Sequence, residues 1–451
     1  MVAKNEAHTP DSRLEGFEGN KVKSEESPSP PSRPSGKPSA RRSRLGAAPE
    51  AGHAQKTEHT DQRSRGSFLG RALDPNNLRS VFDTLSIGSD IFRALREDSA
   101  FLAVARRTLF PLPTDREPTY EAAPFPARSL LDFRALRRLK VGVVVSGGSG
   151  ATASVVGVQR VFEEAGIRPA AIAASSGSVL FAALWACGLD SAAVARFWLT
   201  LPRNGYVDPD WRSLVRSAGR ALGGWAGLLR GDALERSLRA LIGDVRLGET
   251  KFSFAMPAWN VDLNRVEIFG SDTTPDLPVA VAMRVSVAIP IFVEPVRIGE
   301  HLYGDGGIVN IFPVRPVMAA APDLIVGLNC YLPEGFEGEN VTGWHQRSFA
   351  VLRASGQLRW SGMVALAREQ ALLAGDRLVL LHPVPYAEVR GARFYETFVD
   401  RSRWSHFMRA GHSCARAALS TVDKQSELLA SRASEPKVNA AAAEPDVGTA
   451  R

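Results

Sequence analysis

The sequence predicts an α/β fold in three layers, with a mostly parallel central sheet between helices and helical additions at both ends. Three observations carry this prediction. Val141–Val145 and Pro169–Ala174 are short apolar runs, the first β-branched, with the length of buried strands. Each opens into a turn of small residues, 146–150 and 175–178, and then into a helical run. Strand, Gly-rich turn, helix, strand and second turn, in that order, bring both turns to one edge of a parallel sheet. That edge, beyond the carboxyl ends of the strands, is where open α/β sheets bind ligands.

Residues 1–66 are rich in Ser, Pro, Lys, Arg and Glu and poor in apolar side chains, which predicts a disordered tail. Within it, Arg41-Arg42-Ser43-Arg44 reads as a solvated charge run. Residues 67–139 form a helical segment and linker: Leu78, Val81, Phe82, Leu85, Ile91, Phe92 and Leu95 recur at helical spacing, and 111–126 is Pro-rich. A short basic helix is expected over 129–139.

The main domain spans 140–332. After the first Gly-rich turn, Val155, Val158, Val161 and Phe162 share one helical face. Further helices are expected over 191–198, from Asp208 as N-cap with Pro209 at N1, and over 277–286. Residues 252–260 and 266–269 predict strands joined by Asp262-Leu263-Asn264. Residues 292–298 predict another, paired with Leu302-Tyr303 through Gly299-Glu300, and Leu324–Leu328 predicts a buried strand. A mostly helical part follows over 333–424, with helices at 348–373 and 405–419 around a strand at 377–381. A second disordered tail is expected over 425–451.

The 451 residues suffice for one large core, and the net charge of +7 is compatible with an anionic surface without specifying one. Cys187, Cys330 and Cys414 form neither a metal motif nor a disulfide framework, which favours a reducing compartment. The polar N-terminus shows no secretory signal, and no run approaches the ~20 apolar residues of a membrane span. A cytoplasmic protein, with contact to a membrane surface at most peripheral, is expected. No metal, cofactor or nucleic-acid partner is called for.

Three groups carry candidate chemistry. Ser176 sits in Ala174-Ser175-Ser176-Gly177-Ser178, where small flanks suit a strained strand-to-helix elbow that exposes a nucleophile at a helix N-terminus. The usual G-x-S-x-G pattern has both glycines replaced, and a plain helix start capped by Ser176 is the alternative. Gly147 and Gly148 offer unhindered backbone N–H donors for an oxyanion, with Ser149 adding a hydroxyl or an obstruction. Gly148, Gly150 and Ala153 also fit a dinucleotide pattern. The second strand, however, lacks the acidic residue that would hold a ribose. Asp305, between Gly304 and Gly306-Gly307, could present a carboxylate base without steric cover, or be an ordinary turn. A Ser-His-Asp triad would need His382, but the serine follows only the second recognisable strand, earlier than in α/β-hydrolases.

In this order the three pieces resemble the patatin-like phospholipase family over roughly 141–317. SGGSGATASVVGVQRVFEEAGI is similar to its oxyanion loop and first helix, AIAASSGSVLFAAL to its nucleophile elbow, and the stretch through YGDGGIVNIFPV to its D-G-A/G motif. The resemblance implies a Ser–Asp dyad of Ser176 and Asp305, an oxyanion hole at Gly147, Gly148 and Ser149, and metal-free hydrolysis of lipid acyl esters. The chain departs from the family at Ser149 and Thr152 (glycines there), at Ala151 (a basic residue) and at Ala174 and Ser178 (elbow glycines). A folded, non-catalytic lipid-binding relative is therefore the alternative. Finally, Trp211, Leu214, Val215, Ala218, Leu222, Trp225 and Leu229 would share one helical face opposite Arg212, Arg216 and Arg220. That suits a lipid interface, or equally a core helix.

Overall fold

A computed structural model describes residues 119–120, 124–218, 226–338 and 350–434. Its strands are β1 (Val141–Val145), β2 (Pro169–Ala174), β3 (Gly227–Leu229), β4 (Ser253–Asn260), β5 (Arg265–Gly270), β6 (Ile291–Val293), β7 (Val296–Ile298), β8 (His301–Asp305), β9 (Leu324–Leu328) and β10 (Leu378–Leu381). Its α-helices are α1 (Ser154–Ala165), α2 (Val179–Ala186), α3 (Ser191–Thr200), α4 (Trp211–Ala218), α5 (Asp232–Ile242), α6 (Val279–Ser286), α7 (Val314–Met318), α8 (Ala350–Ala374), α9 (Ala392–Val399) and α10 (Trp404–Ser434).

The main sheet runs β10-β9-β1-β2-β4-β8-β7, with β5 also on β4. From β10 to β4 every pairing is parallel, and β5, β8 and β7 add an antiparallel extension. β1 is apolar without alternation because it is buried on both faces. Val141, Val143 and Val145 enter the larger core with Phe162 of α1, Phe181 of α2 and Met408 of α10. Val144 enters a second core with Val317 of α7 and Met363 of α8. The result is the three-layer α/β arrangement, with its mostly parallel sheet, that the sequence predicts.

One edge of β4 brings the two halves of the site together. β5 pairs with β4 from Ala255 to Asn260 and so occupies one edge. β2, pairing with Ser253 to Ala255, and β8, pairing with Ala258 to Asn260, must both use the other. They run in opposite directions, so their carboxyl ends meet over Met256 and Pro257. Ser176 follows the end of β2, and Asp305 is the end of β8.

α10 closes the fold from outside the predicted main domain. It crosses α1 at backbone contact: a Cβ at Gly157 would lie 2.1 Å from the Met408 carbonyl oxygen, and one at Gly411 2.1 Å from that of Ser154. Beside this crossing Glu164 accepts from Arg160 Nε at 2.7 Å and lies 3.0 Å from His412 Nε2. The two partners hold its carboxyl below the usual range against the opposing effect of burial.

Several local expectations are corrected. Over 129–139 only Leu136–Arg138 forms a helical turn, because Leu131 and Phe133 insert into the core instead. Asp208 does not cap α4; its carboxylate accepts from the amides of Gly231 and Ala233, each at 2.8 Å, at the start of α5, and Asp210 takes the Ser213 amide. The 292–298 strand splits, because β6 leaves to pair with β3 while β7 pairs with β8. Of the helix expected from Trp211, α4 is described over Trp211–Ala218, and Leu229 belongs to β3 instead. Leu222, Trp225 and the side chains of Trp211, Leu214, Val215 and Ala218 lie outside the described residues, as do nearly all of the N-terminal segments expected over 1–139. The sheet also continues past Leu332, taking β10 as an edge strand. α10 runs through Gln425 to Ser434, where a tail is expected, since QSELLASRAS is composed of adequate helix formers. Among the described residues no helix is long and apolar enough to cross a membrane.

Candidate active site

The elbow after β2 is built from small residues under strain. Ser176 has φ +54°, a left-handed conformation that costs a residue with a Cβ roughly 1–2 kcal/mol. Local hydrogen bonds hold it there. Ser178 Oγ donates to the Ser175 carbonyl at 2.8 Å and accepts the Ser175 amide at 3.0 Å. Ser175 Oγ donates to the Asn310 carbonyl at 2.9 Å. The serine at 178, in place of an elbow glycine, thus closes the turn through its hydroxyl.

Ser176 Oγ donates to Asp305 Oδ2 at 2.6 Å, and the Gly307 amide donates to Asp305 Oδ1 at 2.7 Å. Both glycines after Asp305 have steric reasons. A Cβ at Gly306 would lie 2.4 Å from the Pro257 carbonyl carbon, where the chain passes over β4, and one at Gly307 would lie 2.7 Å from Ser176 Cβ. Asp305 is 1% exposed and Ser176 8%. Burial pushes the Asp305 carboxyl up to about 7, against the lowering effect of the bonds from Ser176 and Gly307. Its bond to a hydroxyl and its position near neutrality suit a base that takes a proton from Ser176 and returns it.

The Gly-rich loop after β1 differs from its expected form. The Gly147 amide donates to the Ile311 carbonyl at 2.9 Å, so Gly147 is not a free donor; its small size instead lets it pack against Ser176 Cβ. Among the described residues none accepts from the amides of Gly148 or Ser149. The Ser149 hydroxyl neither crowds the loop nor stands free, because it meets Thr397 Oγ1 of α9 at 2.6 Å. Gly148, Gly150 and Ala153 do not face a ribose-binding acid: the position after β2 is the serine elbow.

A cavity of about 80 Å³ adjoins the elbow. Ser149, Thr152 and Gly177 line it beside the elbow, and Leu180, Phe181, Trp198, Val293 and Trp404 supply apolar walls. Arg401 is the one charged residue of the lining; its guanidinium lies 5.0 Å from the Tyr206 ring centroid and donates to the Trp198 carbonyl at 2.6 Å. Thr397, Arg401 and Trp404 escape sequence reasoning because nothing in the pattern of α9 and α10 marks them. Thr397 and Trp404 gain a place by packing against the loop, and Arg401 by lining the cavity.

His382 is not a partner of the Ser176–Asp305 pair; its Nδ1 lies 3.2 Å from Asn329 Nδ2 and its imidazole pKa is lowered by burial. Among the described residues no group of three or more His, Cys, Asp or Glu side chains is arranged to hold a metal ion.

Residues 143–318 match the model of the family described as patatin-like phospholipase, nearly the span over which the motifs resemble it. A probable lipid hydrolase of Invertebrate iridescent virus 6 is 35% identical over 57 residues, 13% of this chain and 20% of that protein. An uncharacterized NTE family protein of Mycobacterium tuberculosis is 24% identical over 205 residues, 45% of this chain and 52% of that one. The chain thus spans about half the length of the mycobacterial relative and a fifth of the viral one. Among solved structures, VipD from Legionella pneumophila matches with a TM-score of 0.35 and 13% identity, over 69% of this chain and 72% of that one.

Proposed function

We propose that this protein is a serine acyl-ester hydrolase acting on lipids, of phospholipase A or lipid acyl hydrolase type, through a dyad of Ser176 and Asp305. The observation that carries the reading is the 2.6 Å hydrogen bond from a left-handed, strained serine to a buried carboxylate. Backbone strain and a raised carboxyl pKa are both expected at reactive centres. The family match over 143–318 supports the same reaction class.

Ser176 Oγ attacks the ester carbonyl carbon as its proton passes to Asp305. The amides of Gly148 and Ser149 receive the negative oxygen of the tetrahedral intermediate. Collapse expels the alcohol, which takes the proton from Asp305 and leaves an acyl group on Ser176. A water, deprotonated by Asp305, then frees the acid and restores the serine. The largely apolar cavity behind Gly177 receives the acyl chain. A lipid substrate brings the protein to a lipid surface, so peripheral membrane contact is part of the proposal.

The test is labelling of the purified protein with a fluorophosphonate probe, alongside turnover of short-chain p-nitrophenyl esters and phospholipid vesicles. Labelling at Ser176, with turnover abolished in Ser176→Ala and Asp305→Ala, is expected. No labelling and no turnover on any of these esters would replace the enzyme with a non-catalytic lipid-binding protein.

A further inference from the structure

We propose that Thr397 is a positioning residue for the oxyanion loop: its hydroxyl anchors Ser149 and thereby fixes the two backbone amides at Gly148 and Ser149. The proposal rests on the hydrolase reading above. It assigns a role to a residue that lies outside 143–318, the span that matches the family.

The direction of the hydrogen bonds follows from the atoms available. Thr397 Oγ1 lies 3.0 Å from the Arg393 carbonyl oxygen and 3.2 Å from that of Phe394, one turn back along α9. A carbonyl oxygen can only accept, so the single Thr397 proton has acceptors within its own helix. Either hydroxyl could donate across the short 2.6 Å contact to Ser149 Oγ; with the Thr397 proton on its helix, the donor is Ser149. Both side chains are buried, so losing this contact would leave a poorly solvated hydroxyl. The Ser149 proton is therefore spent on Thr397 and is not offered to an oxyanion. What Ser149 contributes to the reaction is its backbone N–H.

The surrounding contacts show a loop seated on this helix end. Trp404 Nε1 donates to the Thr397 carbonyl at 3.0 Å, fixing α9 against α10. A Cβ at Gly150 would come 2.1 Å from that same carbonyl oxygen and 2.5 Å from Trp404 Nε1. Thr152 Oγ1 donates back to the Ser149 carbonyl at 2.7 Å. Ser149 is thus held from two sides, by Thr152 through its carbonyl and by Thr397 through its hydroxyl. A family member with glycine at this position has no side chain through which such an anchor could act. Here the serine exchanges the glycine's freedom for a tether to the C-terminal part.

The experiment compares full-length wild type, Thr397→Val, Thr397→Ser, Ser149→Ala and the Thr397→Val/Ser149→Ala double variant. Thr397→Val keeps the shape and the carbonyl bond to Trp404 and removes only the anchoring hydroxyl. With p-nitrophenyl butyrate, Thr397→Val and Ser149→Ala should each lower kcat by about 10- to 100-fold, the scale of a sub-ångström to 1 Å misplacement. KM should change little, Thr397→Ser should retain most of the rate, and the double variant should match the single ones. Hydrogen exchange supplies a readout independent of turnover: amides of 148–152 should exchange faster in Thr397→Val and at the wild-type rate in Thr397→Ser. Additive losses in kcat, a change in KM alone, or unchanged exchange would overturn the proposal. An inactive wild type with accelerated exchange in Thr397→Val would keep the tether and overturn the hydrolase reading instead.

Discussion

Asp305→Asn should make the protein more stable at pH 8 while removing its activity. The two side chains have nearly the same shape. An asparagine can still accept the Gly307 amide, and its NH₂ can replace the Ser176 hydrogen bond in the opposite sense. Only the buried charge is lost. In the wild type, burial moves the carboxyl from 3.8 to about 7. At about 1.4 kcal/mol per pH unit, the ionised form is therefore disfavoured in the native state by roughly 4 kcal/mol. The folded-state pKa is raised, so the folded protein keeps a proton that the unfolded chain has lost. The stability from this group is complete below about pH 4, falls as the pH rises towards 7, and then levels off. Urea unfolding of wild type and Asp305→Asn should show a stability gap that widens by about 3 kcal/mol between pH 5 and pH 8. Turnover should fall below about pH 7 as the base becomes protonated, and Asp305→Asn should be inactive throughout. A gap independent of pH would show that Asp305 titrates like an exposed carboxylate, and the argument for a buried base would fail.

Gly307→Ala puts a methyl group 2.7 Å from Ser176 Cβ and should lower kcat at least about 100-fold by pushing the dyad apart, with the fluorophosphonate labelling rate as the check. Gly411→Ala meets the Ser154 carbonyl oxygen at 2.1 Å across the α1–α10 crossing; overpacking of about 1–3 kcal/mol should appear as a lower urea midpoint with unchanged m. His382→Ala should leave kcat within about three-fold of wild type, because a dyad needs no imidazole; a loss of about 10³ or more would restore the triad.

Local pattern alone determined much of this molecule. Val141–Val145, Pro169–Ala174 and Leu324–Leu328 have the strand limits expected from their apolar runs, because a strand buried on both faces has one readable signature. The small residues around Ser176 and the glycines after Asp305 were readable for a related reason: a tight backbone approach excludes side chains and so marks the sequence at the point of contact. Partnership between distant segments leaves no such mark. Gly147 looks like an oxyanion donor until Ile311 takes its amide, and Ser149 looks like an obstruction until its hydroxyl pairs with that of Thr397. β6 has the composition of a strand but not the name of its partner, and Asp208 would cap whichever helix start the chain brought to it. Even the meeting of Ser176 with Asp305 needed β4, whose free edge is long enough to seat β2 and β8 end to end. Hydrogen-bond partners and pKa values depend on which groups exclude water from one another, and that is decided only when the sheet and its two helical layers close.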